Sequence, residues 1–185
     1  MSGGGRCNVT HHCFENGELI KNYPRGEKEL RQVFSQFSVQ DTIDWFLKRG
    51  VKLKVEQDGR MFPESNTSET IINCFLQEAQ KYNIDINLNE EVLSIDKADD
   101  GALKVKTSKQ TYTADAVICS IGGHNQEKNY AFLKQCGHTI DELIPSLFTL
   151  NLPQSHIKEL MGLSVKNGTV KVIGNKHQYA GPVLI

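Results

Sequence analysis

Apolar residues fall at helical spacing in three stretches of the chain. Leu30, Val33, Phe34 and Phe37 lie three and four apart within 27–37, which predicts a short helix. Ser38-Val39-Gln40-Asp41 reads as an N-cap with an acidic first turn, opening a helix that carries Ile43, Phe46 and Leu47 and stops at Gly50. Ile71, Ile72, Phe75, Leu76, Ala79 and Tyr82 define one apolar face of a third helix, capped by Thr67 or Ser68. Elsewhere the period is two. Val51 to Val55 alternates apolar and basic residues, Gln57-Asp58-Gly59 turns, and Arg60-Met61-Phe62-Pro63 returns. Ile84 to Leu88 alternates as a strand does. The run 92–113 reads as an antiparallel meander turned at Asp100-Gly101.

Ala116-Val117-Ile118-Cys119-Ser120-Ile121 differs from these, being continuously apolar and short. Such a run is expected as an interior strand of a parallel sheet, buried on both faces. It ends in Gly122-Gly123, and a helix over Glu127 to Cys136 closes at Gly137. The texture changes near Leu150. Alternation through Leu163 to Ile173, centred on Asn167-Gly168, predicts a hairpin turned at that dipeptide. The expected organisation is therefore an α/β domain over 1–151, of layered sheet, helices and meander, and the start of a β-rich unit over 152–185. The last unit is too short to bury a core alone. Both ends read as cut, so the chain is expected to be a fragment of a longer protein.

Composition narrows the class. The 185 residues are 38% hydrophobic, enough for a real core, and 21 basic against 22 acidic side chains leave a net charge of −1. That balance argues against a nucleic-acid binder, which carries a basic excess. No apolar run approaches the roughly 18 residues of a membrane span. No apolar stretch follows the N-terminal charge as in a signal peptide. A cytoplasmic location is expected. Five scattered cysteines do not form a disulfide framework. Cys7, His11, His12 and Cys13 are zinc-ligand types, but their spacing is not that of hairpin-held pairs. A polar loop without metal is the preferred reading.

Three stretches carry candidate chemistry. In Ser2-Gly3-Gly4-Gly5-Arg6-Cys7-Asn8-Val9-Thr10, three glycines let backbone N–H groups turn inward to form an anion-binding concavity. Arg6 adds a planar cation suited to phosphate, and Asn8 and Thr10 add directional donors. Ser120-Ile121-Gly122-Gly123 closes the apolar run at its carboxyl end, where ligands lie in open α/β sheets. A plain strand-end turn is the competing reading. In Gly59-Arg60-Met61-Phe62-Pro63-Glu64-Ser65, Phe62 is expected in the core and Arg60 facing either a ligand or solvent. Neither a P-loop nor a G-x-G-x-x-G following a strand occurs in these residues, and no nucleophile–base order can be assigned.

Taken in order, these stretches resemble the aminoacetone-oxidase-like FAD-binding flavoproteins, the group that includes bacterial bile-acid reductases. Cys136-Gly137-His138-Thr139-Ile140, Pro145-Ser146-Leu147 and Leu160-Met161-Gly162-Leu163-Ser164 extend the match. The resemblance implies part of a two-dinucleotide-type FAD-binding fold with an inserted β-rich domain. It implies FAD contacts from Gly3, Gly4, Gly5, Arg6, Cys7 and Asn8 at the diphosphate and flavin, and from the backbone of Val92 at the adenine. It also brings Ser120, Ile121, Gly122 and Gly123 close to the cofactor. His11 stands where members usually have Asn. Without a G-x-G-x-x-G unit, these residues alone are expected to retain no FAD and show no turnover. The implied reaction is hydride or electron transfer between FAD and a small organic substrate, with amines, enones and a nicotinamide partner left open. A non-catalytic α/β interaction module and a small zinc domain are the alternatives.

Overall fold

The computed structural model describes residues 5–23, 25–144, 151 and 153–185. Contacts gather the chain into two compact units, 1–89 and 90–185. The division expected at residues 151 and 152 falls inside the second unit, and Leu152 lies outside the described residues. Among the described residues, no helix is long and apolar enough to cross a membrane.

The first unit is built on a three-stranded antiparallel sheet, β1 (Thr10–His11), β2 (Leu53–Val55) and β3 (Arg60–Pro63), in the order β1-β3-β2. Thr10 pairs with Met61, and Val55 pairs with Met61 from the other side. The turn into β3 is at Gly59 (φ +84°), as the Asp58-Gly59 signal predicts. Four helices accompany the sheet: α1 (Asn16–Leu19), α2 (Glu27–Gln36), α3 (Val39–Leu47) and α4 (Ser68–Lys81).

The caps read from the sequence are formed. Ser38 Oγ accepts from the Asp41 N–H (3.2 Å), while Asp41 Oδ2 accepts from the Ser38 N–H (2.7 Å) and hydroxyl (2.6 Å). These bonds, the side-chain one first, hold the Asp41 carboxyl below its usual value. Thr67 Oγ1 caps α4 by accepting from Glu69 N–H (3.3 Å). The core is Phe46, Val51, Ile71 and Cys74, with Cys7, Val9, Trp45 and Leu53 packed against it. Phe62 is buried as expected. Of the apolar positions on α4, Ile71 turns inward together with Cys74, but Ile72, Phe75, Leu76 and Tyr82 are exposed. The expected single face is therefore split: an inward pair three residues apart does the packing.

One ion pair braces α3 against α4. Arg49 Nε lies 2.6 Å from Glu78 Oε2, a charge contact rather than an aligned hydrogen bond, since Nε has no hydrogen-bond partner. The same guanidinium stacks 3.6 Å above Trp45 and donates to its carbonyl (2.9 Å). Burial pushes the neighbouring Cys74 thiol up from its ordinary value.

The second unit contains the expected meander, β4 (Val92–Lys97), β5 (Leu103–Thr107) and β6 (Thr111–Ala114), antiparallel in sequence order. A 3-10 turn over Glu127–Tyr130 leads into α5 (Ala131–Gln135), which packs on β4 and ends at Gly137 with φ +89°. The last element is an antiparallel hairpin of β7 (Ser164–Lys171) and β8 (Gln178–Leu184).

Three expectations are corrected. Residues 116–121 form no strand, and they are exposed, Ile118 to 92%. All strand pairings among the described residues are antiparallel, so the run has no parallel neighbour to bury it. Residues 84–88 also form no strand: the chain leaves α4 through Asn83 (φ 53°), with Ile84 and Ile86 exposed. Finally, β7 runs straight through Asn167-Gly168, and its turn lies at 172–177, with Gly174 at φ +82°. Gly168 serves a different need. It follows a bulge and sits opposite Gly181, where an added Cβ would come within 2.6 Å of Val183 Cγ2.

Candidate functional site

The described part of the Gly-rich stretch, Gly5 to Asn8, leads directly into β1. Gly5 (φ +79°) and Cys7 (φ 35°) both take the left-handed conformation and bracket Arg6. Cys7 is held in that strained state by its packing against the core. Left-handed residues of this kind turn backbone N–H groups to one side, the geometry of an anion-binding nest. An added Cβ at Gly5 would meet nothing within 4 Å, so the loop is open at this point. Gly3 and Gly4 lie outside the described residues.

Arg6 is anchored rather than free. Its guanidinium forms a hydrogen-bonded ion pair with Glu56 and lies 4.2 Å above the Phe62 ring. Arg60 approaches the same ring at 5.4 Å and pairs with Asp58 (2.7 Å). The Arg60 N–H (3.1 Å), ahead of its guanidinium, holds the Asp58 carboxyl below its usual value. Asn8, with its amide nitrogen toward the sheet, donates to the carbonyls of Thr10 (3.0 Å) and Met61 (3.3 Å). The loop is thus pinned to β3 by charge, by stacking and by hydrogen bonds. His11 lies over the Gly59 turn, its Nε2 3.0 Å from the Asp58 carbonyl. No group of three or more His, Cys, Asp or Glu side chains converges as a metal site among the described residues.

Beside this loop is a cleft of about 340 Å³, lined by Asn8, Thr10, His11, Tyr23, Phe34, Thr42 and their neighbours. Within the second unit a larger cleft, about 700 Å³, brings together Val92, Ser120 and Ile121. Gly122 (φ +71°) and Gly123 follow at its edge in sequence. One wall of that cleft is β4 and the other is α5 with the turn before it. His124 is held there by Tyr130, whose hydroxyl accepts from the His124 N–H (2.7 Å).

The segment entering β4 is fixed by groups that sequence reading missed. Glu90 Oε1 accepts from the buried Thr107 hydroxyl (2.6 Å) and from Tyr112 (3.1 Å). Glu91 exchanges bonds with Ser108, N–H to Oγ (3.1 Å) and carbonyl from N–H (2.8 Å). Glu56 was missed as well. Its pairing with Arg6 spans 50 positions, and no local signal announces it. Within the first unit, the left-handed residues on either side of Arg6 have nest-like backbone geometry; within the second, the cleft has a volume in the usual range for ligand sites.

Helices joined to small antiparallel sheets make this an α/β protein. The chain belongs to the HI0933-like protein Rossmann domain family, which matches residues 1–176. It is 22% identical over 182 residues to the 3-dehydro-bile acid delta(4,6)-reductase of Clostridium scindens, covering 95% of this chain and 43% of that protein. It is 28% identical over 187 residues to the ribosomal RNA dihydrouridine synthase of Escherichia coli K12, covering 92% of this chain and 45% of that protein. The chain therefore spans less than half the length of these relatives. The family is of the flavin-binding oxidoreductase type.

Proposed function

We propose that the chain is part of an FAD-dependent oxidoreductase of the aminoacetone-oxidase-like kind, passing hydride or electrons between the flavin and a small organic substrate. The observation that carries this reading is the pair of left-handed residues, Gly5 and Cys7, bracketing Arg6. Gly3 to Asn8 are assigned to the cofactor's diphosphate side. Val92 and Ser120 to Gly123 are assigned to its remaining contacts. FAD itself supplies the redox chemistry, and these residues bind and orient it. A nicotinamide cofactor is the proposed electron partner. The net charge of −1 favours a small substrate over nucleic acid. Five free cysteines fit a reducing, cytoplasmic setting.

The test compares two proteins: these 185 residues, and the same residues preceded by a strand, a G-x-G-x-x-G turn and a helix. The second should purify yellow with FAD bound, and the first colourless. In the second, Arg6→Ala should weaken FAD retention roughly ten- to hundredfold, as loss of a charge-assisted contact does. Absence of flavin from the extended protein overturns the reading. Specific binding of ribosomal RNA would overturn the choice of a small substrate. Stoichiometric zinc in the purified chain would favour a metal site at Cys7, His11, His12 and Cys13 instead.

A further inference from the structure

The larger cleft lies within the second unit, and its β4 wall is an open strand edge. In the sheet order β4-β5-β6, β4 has a strand on one side only, so its outer backbone N–H and C=O groups lack strand partners. Val92, Leu93 and Ile95 of that strand line the cleft. The pairing is irregular there as well. Val92 faces Thr107 and Ser94 faces Lys106, which leaves Leu93 as a bulged extra residue. A bulge interrupts the ladder and bends the strand, so the backbone at Val92 needs other groups to hold it.

Glu90 supplies that hold. Its half-buried carboxylate accepts from the Thr107 hydroxyl at Oε1 (2.6 Å) and from the Tyr112 hydroxyl at Oε1 (3.1 Å) and Oε2 (3.2 Å). Gln110 Nε2 donates to the Tyr112 oxygen (2.6 Å), which leaves the Tyr112 proton for Glu90. Thr107 is the residue that Val92 faces, and at 8% exposure it is the one buried polar residue of this unit among the described residues. No Lys, Arg or His pairs with Glu90 among the described residues. A half-buried carboxylate that meets hydroxyls and no cation is more costly than a neutral group in its place, so stability does not account for it. Placement does. Glu90 ties the chain two residues ahead of Val92 to the very residue opposite Val92.

We infer that Glu90 is a positioning residue, acting through Thr107 and Tyr112 to fix the backbone at Val92 and Leu93, the edge against which the cleft's ligand lies. The ligand's identity as the adenosine part of FAD rests on the flavoprotein reading, and the hold of Glu90 on the edge rests on the hydrogen bonds alone. A flat nitrogen heterocycle suits such an edge. Backbone donors and acceptors pair with its rim, while Val117, Ile118 and Phe132 supply apolar contact.

The test is an amide NMR titration of the full 185-residue chain with adenosine. Adenosine should shift the amides of 91–95 and 117–121 saturably in the millimolar range. Glu90→Ala should weaken it roughly tenfold, and Thr107→Val and Tyr112→Phe each about three- to tenfold, as loss of bonds to a charged group does. Glu90→Gln, whose amide oxygen still accepts from both hydroxyls, should restore affinity to within about twofold of the parent. Glu90→Ala combined with Thr107→Val should weaken binding no more than Glu90→Ala alone, because both cut the same link. Additive losses in that pair, or failure of Gln to restore affinity, would make Glu90 a direct ligand contact and overturn the positioning role. No saturable shift, or shifts confined to other residues, would overturn it too. Should Glu90→Ala fail to fold, Tyr112→Phe, which loses only a hydroxyl, decides the matter, and unchanged affinity there overturns the inference. The flavin reading fails separately. Flavin retention in the extended protein with adenosine affinity indifferent to Glu90 overturns the positioning role alone. Adenosine binding that depends on Glu90, without flavin retention in the extended protein, supports the positioning role and overturns the oxidoreductase reading.

Discussion

Replacing Gly59, a half-buried turn residue, by Ala should destabilise the first unit for two reasons. Gly59 has φ +84°, where an L side chain costs about 1–2 kcal/mol. The new Cβ would also fall 2.5 Å from His11 Cε1 and 2.6 Å from Nε2. An imidazole at the end of a side chain can swing away, so this second cost is the lost His11–Asp58 bond, about 0.5 kcal/mol at an exposed position. The total is about 2 kcal/mol, which lowers the melting temperature of a domain this size by roughly 8–16 °C. The fluorescence of Trp45, the only tryptophan, reports on this unit because it packs on the core. His11→Ala alone should cost about 0.5 kcal/mol. The double variant should cost less than the sum of the two singles, because the ring that the new methyl group displaces is already gone. A melting loss below about 3 °C for Gly59→Ala, or strict additivity in the double variant, would refute the stacking of His11 on the turn.

Phe46→Ala should cost about 3–5 kcal/mol by circular dichroism in urea, because the ring is 5% exposed at the centre of the core. Asp41→Asn should narrow its stability gap to the parent as pH falls. The folded pKa of Asp41 is depressed, so its contribution is present above the ordinary value of 3.8 and is lost as pH drops through the folded value. A gap that stays constant from about pH 6 to about pH 2 would contradict this. Iodoacetamide should label Cys119 and Cys136 rapidly in the native chain and Cys74 only after unfolding, since the first two are exposed and the third is buried with a raised thiol pKa. Mass spectrometry of timed digests checks the order.

What could be read from the sequence was what local chemistry decides. The Ser38–Asp41 cap, the Asp58-Gly59 turn and the alternation through 92–113 each act within a few residues, and each is formed in the structure. What depends on distant partners was not legible. The apolarity of 116–121 expresses a need for burial but does not name the strand that would meet it. Asn167-Gly168 carries the usual hairpin signal, yet Gly168 is demanded by the approach of Val183 from the opposite strand, and Gly174 takes the turn. At the candidate site the sequence marked the loop around Arg6 as a candidate anion-binding stretch, and the structure adds its left-handed backbone at Gly5 and Cys7. The counter-charge of Glu56 and the Glu90–Thr107–Tyr112 cluster became visible only once the chain was folded.

The state of 116–121 has a practical consequence for handling this protein. Ala-Val-Ile-Cys-Ser-Ile is six residues without charge, proline or glycine, rich in β-branched side chains and presented to water. Segments of that kind pair with copies of themselves and stack into cross-β assemblies. Purified at high concentration, the 185 residues should precipitate with a lag that shortens as concentration rises, and thioflavin fluorescence should rise with it. Ile118→Lys, at the most exposed large apolar position of the run, should act as a gatekeeper and keep the chain in solution.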